Sequence, residues 1–342
     1  MASDDRLTDQ PSSPPTDSRL TDHPPAPPSL PTPLGDWAWQ PVTLRVVALM
    51  LLIYCWPLVL GPLLLAAGFT PRPVGTPTPE ERMALMRLQL LADALAFPLQ
   101  IASVVLLLPR FGGIRLGQIG LTPRRLGWNI LWGALGWLAI TPACFAVNLG
   151  VIALYGKEAA TNVQEHPFVQ MAAHGLTPAG WVLLIFTATI SAPVMEELLF
   201  RGALQSWLER NVWASHAAMA LALLVAAAMK ANEVCAAWPQ GGATLTIHLL
   251  PILFILALAV PYGGVCGFSR APAAPAVFAA SVLFASVHSF AWPSPVALFV
   301  LALGLGTLAY RSRSLAGPMV LHGLFNAVSC VLLFFPQSGL NP

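Results

Sequence analysis

From Leu44 onward the chain alternates long apolar runs with short polar breaks. The runs lie at about Leu44–Phe69, Leu88–Leu108 and Trp128–Tyr155, and a fourth starts near Trp181. The rest lie at about Trp213–Met229, Leu245–Tyr262, Ala276–Phe290, Pro295–Tyr310 and Pro318–Phe335, the fifth and seventh runs being short. Most approach the roughly 20 residues that a helix needs to cross a bilayer. In lipid, backbone N–H and C=O groups must be satisfied within the spanning element itself, so runs of this length predict helices. The expected fold class is all-α: a polytopic transmembrane helical bundle of roughly eight to nine spans.

Composition agrees with this pattern. Of 342 residues, 56% are hydrophobic and only 9% charged, against about 25% charged in a soluble domain. The partner implied for most of the surface is the lipid bilayer, and a net charge of +2 points to no nucleic acid. Residues 1–36 are rich in Pro, Ser, Thr and Asp, and RLTDQP at 6–11 recurs as RLTDHP at 19–24. They predict a disordered tail. Residues 37–175 read as N-terminal transmembrane helices, 176–335 as a core with an inserted segment at about 211–270, and 336–342 as a short tail. Of the five cysteines, only Cys235 and Cys266, at or beyond span ends, are placed to pair. If spans alternate, Arg110, Arg115, Arg124, Arg125, Arg210, Arg270, Arg311 and Arg313 share one side with the amino terminus. Arg72, Arg82, Arg87, Lys157 and Lys230 fall on the other. The richer side reads as cytoplasmic, giving a cytoplasmic N-terminus in a multi-pass membrane protein.

Ionisable side chains at bilayer depth cost roughly 2.5–3.5 kcal/mol each on insertion scales, so each needs a partner or a task. In SAPVMEELLFRG, residues 191–202, Glu197 and Arg201 are four apart and share a helix face. Glu196 points about 100° away and is left over. FASVH places Phe284 and His288 on one face of the seventh run, and HGLFN places His322 and Asn326 on one face of the ninth. A carboxylate, two histidines and an asparagine supply a base for water, a proton carrier and donors for an oxyanion. The same groups, Glu196, His288 and His322, also suit zinc. Asp93 is an orphan charge; His216 and His248 are expected at interfaces, His166 and His174 in a solvated loop. Gly304 and Gly306 predict a close helix contact.

EELLFR (Glu196–Arg201), FASVH (Phe284–His288) and HGLFN (His322–Asn326) together resemble the motifs of the CPBP intramembrane proteases. This is the family of CAAX prenyl protease type II and bacteriocin-processing enzymes, also called Abi. The resemblance covers about 176–335. It implies peptide-bond hydrolysis, with Glu196 and His288 activating water and His322 and Asn326 holding the oxyanion. Glu197 and Arg201 would shape the site, and Phe284 would pack beside His288. The family is often labelled metalloprotease; the preferred mechanism requires no cofactor, with zinc on Glu196, His288 and His322 as the alternative. Substrates implied are membrane-anchored or lipid-modified peptides. The rival reading is a non-catalytic membrane scaffold, or a transporter that uses the same buried groups as a relay. The chain departs from the family in interposing 211–270 between the first two motifs; an even number of added spans keeps the site together. The run boundaries also set His288 toward the outer side and His322 toward the cytoplasmic side.

Overall fold

A computed structural model describes residues 42–70, 73, 75–161 and 167–334. The tails expected over 1–36 and 336–342, and His166, lie outside these residues. The described residues are all-α: α1 Leu44–Tyr54, α2 Trp56–Ala66, α3 Pro79–Leu107, α4 Leu126–Thr161 and α5 Pro167–Ala173. Next come α6 Pro178–Leu208, α7 Val212–Ala237, α8 Gly242–Ala257 and α9 Ala259–Phe268. The last three are α10 Ala274–Ser286, α11 Ser294–Ser312 and α12 Ala316–Phe334. Among the described residues eight stretches are long and apolar enough to cross a membrane, counting α1–α2 and α8–α9 as one each; α10 is apolar but shorter. The protein is a multi-pass membrane protein.

Local chemistry explains where these helices start and bend. α3 begins nine residues before its apolar run, because Thr78 and Glu81 form a reciprocal cap: Glu81 N donates to Thr78 Oγ1 and Thr78 N to Glu81 Oε2. Pro57 sits at the start of α2, and Leu58 N bonds to Cys55 O instead of continuing the ladder. The Tyr54 carbonyl released by this break accepts from Gln100 Nε2 of α3 at 3.1 Å, while Trp56 Nε1 donates to Ser103 Oγ at 3.0 Å. In lipid such a freed carbonyl needs a neighbouring helix to satisfy it.

α4, α11 and α12 pack with little separating their backbones. A Cβ on Gly133 would lie 2.5 Å from Gly317 O, and one on Gly304 would strike the Ile140 side chain. Close backbone approach through small residues supplies van der Waals contact where no hydrophobic force drives helices together.

Two sequence expectations are corrected in the inserted region. α7 runs to Ala237, so Lys230 and Cys235 lie on that helix and not in a loop, and Lys230 is buried. The segment contributes two span-length units, α7 and α8–α9, an even number. Cys235 and Cys266 are free cysteines, set apart by the length of the α8–α9 span. The seventh run is not an ordinary span. α10 ends at Ser286, and every residue from Ala276 to Ser286 is buried. At about 1.5 Å per residue it is roughly 20 Å long, short of the ~30 Å hydrocarbon core. It is enclosed by α6, α7, α9 and α11, so its ends need not reach water.

Candidate active site

The first motif lies on α6, whose ladder is widened into π turns at Thr187–Ser191 and Leu198–Gln205, on either side of the regular Ala192–Glu197. Proline accounts for the first of these. Ala192 N reaches back to Thr187 O, and Pro193, which would supply the next rung to Ala188 O, has no N–H. The Ala188 carbonyl instead accepts from Asn326 Nδ2 of α12 at 2.8 Å. Gly323 permits this approach: a Cβ there would lie 2.7 Å from Thr189 O. In the second π turn Ser206 Oγ donates to Arg201 O at 3.2 Å. π turns within α-helices are frequent at functional sites.

Glu197 is fully buried, and its Oε1 accepts from two donors: Arg201 Nη1 at 2.9 Å and His322 Nδ1 at 2.9 Å. Arg201 Nη2 donates to Ala302 O of α11 at 3.4 Å. The Glu197–Arg201 pair is as expected from the helix wheel; the His322 bond was not anticipated, because a wheel describes one helix at a time. Phe284 is the hub of the three motifs. Its fully buried ring lies 5.1 Å from that of Phe200, 4.9 Å from His288 and 5.8 Å from His322, with Arg201 Cζ 4.6 Å above it. An aromatic face here offers the guanidinium a cation–π contact in a dry setting.

Both imidazoles therefore flank one ring, which corrects the expectation that they lie toward opposite sides. The reason is the early end of α10. His288 is in the turn after the helix, not on its face, yet it keeps the four-residue relation to Phe284 by a bond from Nδ1 to Phe284 O at 2.8 Å. A carbonyl only accepts, so His288 carries a proton on Nδ1 and leaves Nε2 turned to the site, an acceptor in the neutral ring. By the same logic His322, bonded through Nδ1 to the carboxylate that pairs with Arg201, presents Nε2 to Glu196 Oε2 at 3.8 Å. Glu196 is 12% exposed, and its nearest cationic candidate is this histidine, not a lysine or arginine. Asn326 uses one amide hydrogen on Ala188 O and keeps a second. No three His, Cys, Asp or Glu side chains among the described residues converge as a metal-ligand set.

Several groups escaped the sequence reading. Gln205 and Glu209 continue the stride of four from Glu197 through Arg201. Gln205 Nε2 donates to Gly306 O at 3.0 Å and to Glu209 Oε1 at 3.1 Å, and Glu209 Oε2 pairs with Arg313 at 3.1 Å. A Cβ on Gly306 would lie 2.7 Å from Gln205 Oε1, so this glycine makes room for a polar side chain. The four-residue repeat was a legible signal. Asp93 accepts from Gln89 Nε2 at 2.9 Å one turn back, and His216 Nδ1 meets Tyr262 Oη at 2.9 Å. His174 is exposed and His248 half-buried.

No curated protein and no solved structure matches the chain significantly. A family model does: residues 178–270 and 263–328 match type II CAAX prenyl endopeptidase Rce1-like proteins. The two matched pieces meet within α9, and between them they contain all three motifs. The matched pieces run from the start of α6 into α12, and the match agrees with the family that the three motifs resemble.

Proposed function

We propose that the protein is an intramembrane endopeptidase that hydrolyses peptide bonds of membrane-associated or lipid-modified peptides, with Glu196 as the base that activates water. The observation that carries this reading is the division of labour between adjacent carboxylates. Glu197 is buried and engaged by Arg201 and His322, whereas Glu196 is partly exposed beside His322 Nε2. A carboxylate with no lysine or arginine paired to it, among groups able to hold or accept protons, is suited to general-base work.

In this mechanism Glu196, with His288 Nε2 as a second acceptor, takes a proton from water while the water oxygen bonds to the scissile carbonyl carbon. The oxyanion is held by the free amide hydrogen of Asn326 and by His322. His322 donates through Nε2 only when it is an imidazolium, and Glu197 at Nδ1 stabilises that charge. The C–N bond then breaks, and the leaving amine takes the proton held by Glu196 or His288. Arg201 and Phe284 hold Glu197 and both imidazoles in place. The excess of arginine on one set of loops supports a cytoplasmic amino terminus, and the plasma membrane of a bacterium is the proposed location.

The test uses the full chain in phosphatidylcholine proteoliposomes with a quenched peptide ending in a farnesylated CAAX sequence, alongside its unlipidated twin. Cleavage of the lipidated peptide, lost in Glu196→Gln, is expected. Absence of turnover on both peptides by the parent protein would refute the reading and favour a non-catalytic scaffold or relay.

A further inference from the structure

Lys230 lies deep within α7, in the segment inserted between the first two motifs, and is only 3% exposed. A buried ammonium among apolar helices requires acceptors for its three donors. One is the backbone carbonyl of Phe290, which accepts from Nζ at 3.0 Å, and the charge is balanced by an ion pair with Glu233 Oε2 at 3.3 Å, one turn along the same helix. Phe290 is two residues beyond His288, in the turn between α10 and α11. The inserted segment touches that turn a second time, where the rings of Phe254 on α8 and Trp292 lie 6.2 Å apart.

We propose that Lys230 is a positioning residue: its ammonium clamps the turn that carries His288, so that the inserted helices form a brace for the second motif. This rests on the protease reading for its consequence in catalysis, but the clamp itself does not. The reasoning is geometric. α10 stops at Ser286, so His288 lacks the support of a continuing helical ladder. Its ring is aimed by its own bond to Phe284 O and by the path of the turn. The amides of His288, Ser289 and Ala291 reach back to Ala285 O, Ser286 O and His288 O, whereas the carbonyl of Phe290 is held by a side chain from another helix. A charge-assisted bond at that carbonyl fixes the far end of the turn. Displacement of a reacting group by about 1 Å is enough to lose roughly 10²-fold in rate.

The experiment compares the full-length parent protein with Lys230→Met, which keeps the stem but has no donor, and Lys230→Arg, which keeps charge and donors. Lys230→Met/Glu233→Gln removes the ammonium and its carboxylate together and serves if Lys230→Met does not fold. Hydrogen exchange is expected to quicken at least about tenfold at the 288–291 amides of Lys230→Met, with α1–α4 unchanged and Lys230→Arg nearer the parent. Unchanged exchange at 288–291, or an increase spread over the whole chain in both donor-less variants, would overturn the clamp. With a cleavable peptide, kcat is expected to fall about 10- to 100-fold at a KM within twofold. That loss should vanish in a His288→Asn background, because Lys230 acts through His288. An equal loss in both backgrounds would overturn the proposal. If the parent protein cleaves nothing, the protease reading fails, and the exchange result alone decides whether Lys230 holds the turn.

Discussion

Removing the charge of Glu197 tests the core of the site. Both donors, Arg201 Nη1 and His322 Nδ1, use the same oxygen, Oε1, and Oε2 is buried with no hydrogen-bond partner. In Glu197→Gln the amide oxygen can occupy the Oε1 position and keep both bonds, with its NH2 group in the unpartnered place. What is lost is the charge assistance. Bonds to charged groups contribute about 1.5–3 kcal/mol, against about 0.5–1.5 kcal/mol for neutral ones. Arg201 stays ionised, so only the His322 bond loses its charged partner, and the expected loss for Glu197→Gln is at least about 1–1.5 kcal/mol. Glu197→Leu also strands the buried Arg201 and should cost about 3–5 kcal/mol. Buried thiols supply the assay. Cys144 and Cys330 are buried, whereas Cys235 and Cys266 are exposed. In a Cys235→Ser/Cys266→Ser background, a thiol-reactive fluorophore reports thermal unfolding in detergent. The expected order of stability is parent, then Glu197→Gln, then Glu197→Leu. A glutamine variant as stable as the parent, or less stable than the leucine variant, would refute the shared-oxygen account.

Glu196→Gln should lower turnover by about 10²–10⁴-fold with the unfolding temperature little changed, because Glu196 is the partly exposed carboxylate and its ion-pair contact with His322 Nε2, at 3.8 Å, is long; near-normal turnover would remove it from its role. Gly133→Ala should destabilise by about 1–3 kcal/mol, measured by the same thiol assay, because its Cβ would meet the backbone oxygen of Gly317. Gly304→Ala should cost less, because the obstacle there is the far end of the Ile140 side chain, which can turn away. Elemental analysis of active protein is expected to find no stoichiometric zinc; about one zinc per chain, lost with activity on chelation and restored by zinc, would overturn the metal-free mechanism. With α10 counted as a ninth pass beside the eight span-length stretches, cysteines introduced at Leu20 and Gly339 should label from opposite sides of the membrane, and labelling from the same side would mean that α10 does not complete a crossing.

The amino-acid sequence by itself determined the helical class, the positions of most membrane-crossing helices and the partition of the adjacent carboxylates. Each of these depends on local or periodic physics. Lipid demands internally satisfied helices wherever apolar runs are long, and a stride of four fixes which neighbours share a face. That is why Glu197 could be paired with Arg201, and Glu196 set aside, before any fold was known. The three motifs were legible for the same reason, as polar residues placed where lipid penalises them.

Only the tertiary structure decided what crosses between helices. The bond from His322 to Glu197 spans 125 residues of chain, and that from Asn326 to Ala188 spans 138. The second exists because Pro193 releases a carbonyl and Gly323 lets α12 reach it. Hydropathy drew α10 as a span and Lys230 as a loop residue. Apolar character does not distinguish a helix buried in protein from one bathed in lipid, so it could not show that α10 stops at Ser286 and leaves His288 level with His322. Nor does a charge at the end of an apolar run reveal whether it faces water. Lys230 is tolerated in the interior because the Phe290 carbonyl and Glu233 replace the water it gives up, and those partners are in place only once the helices have packed.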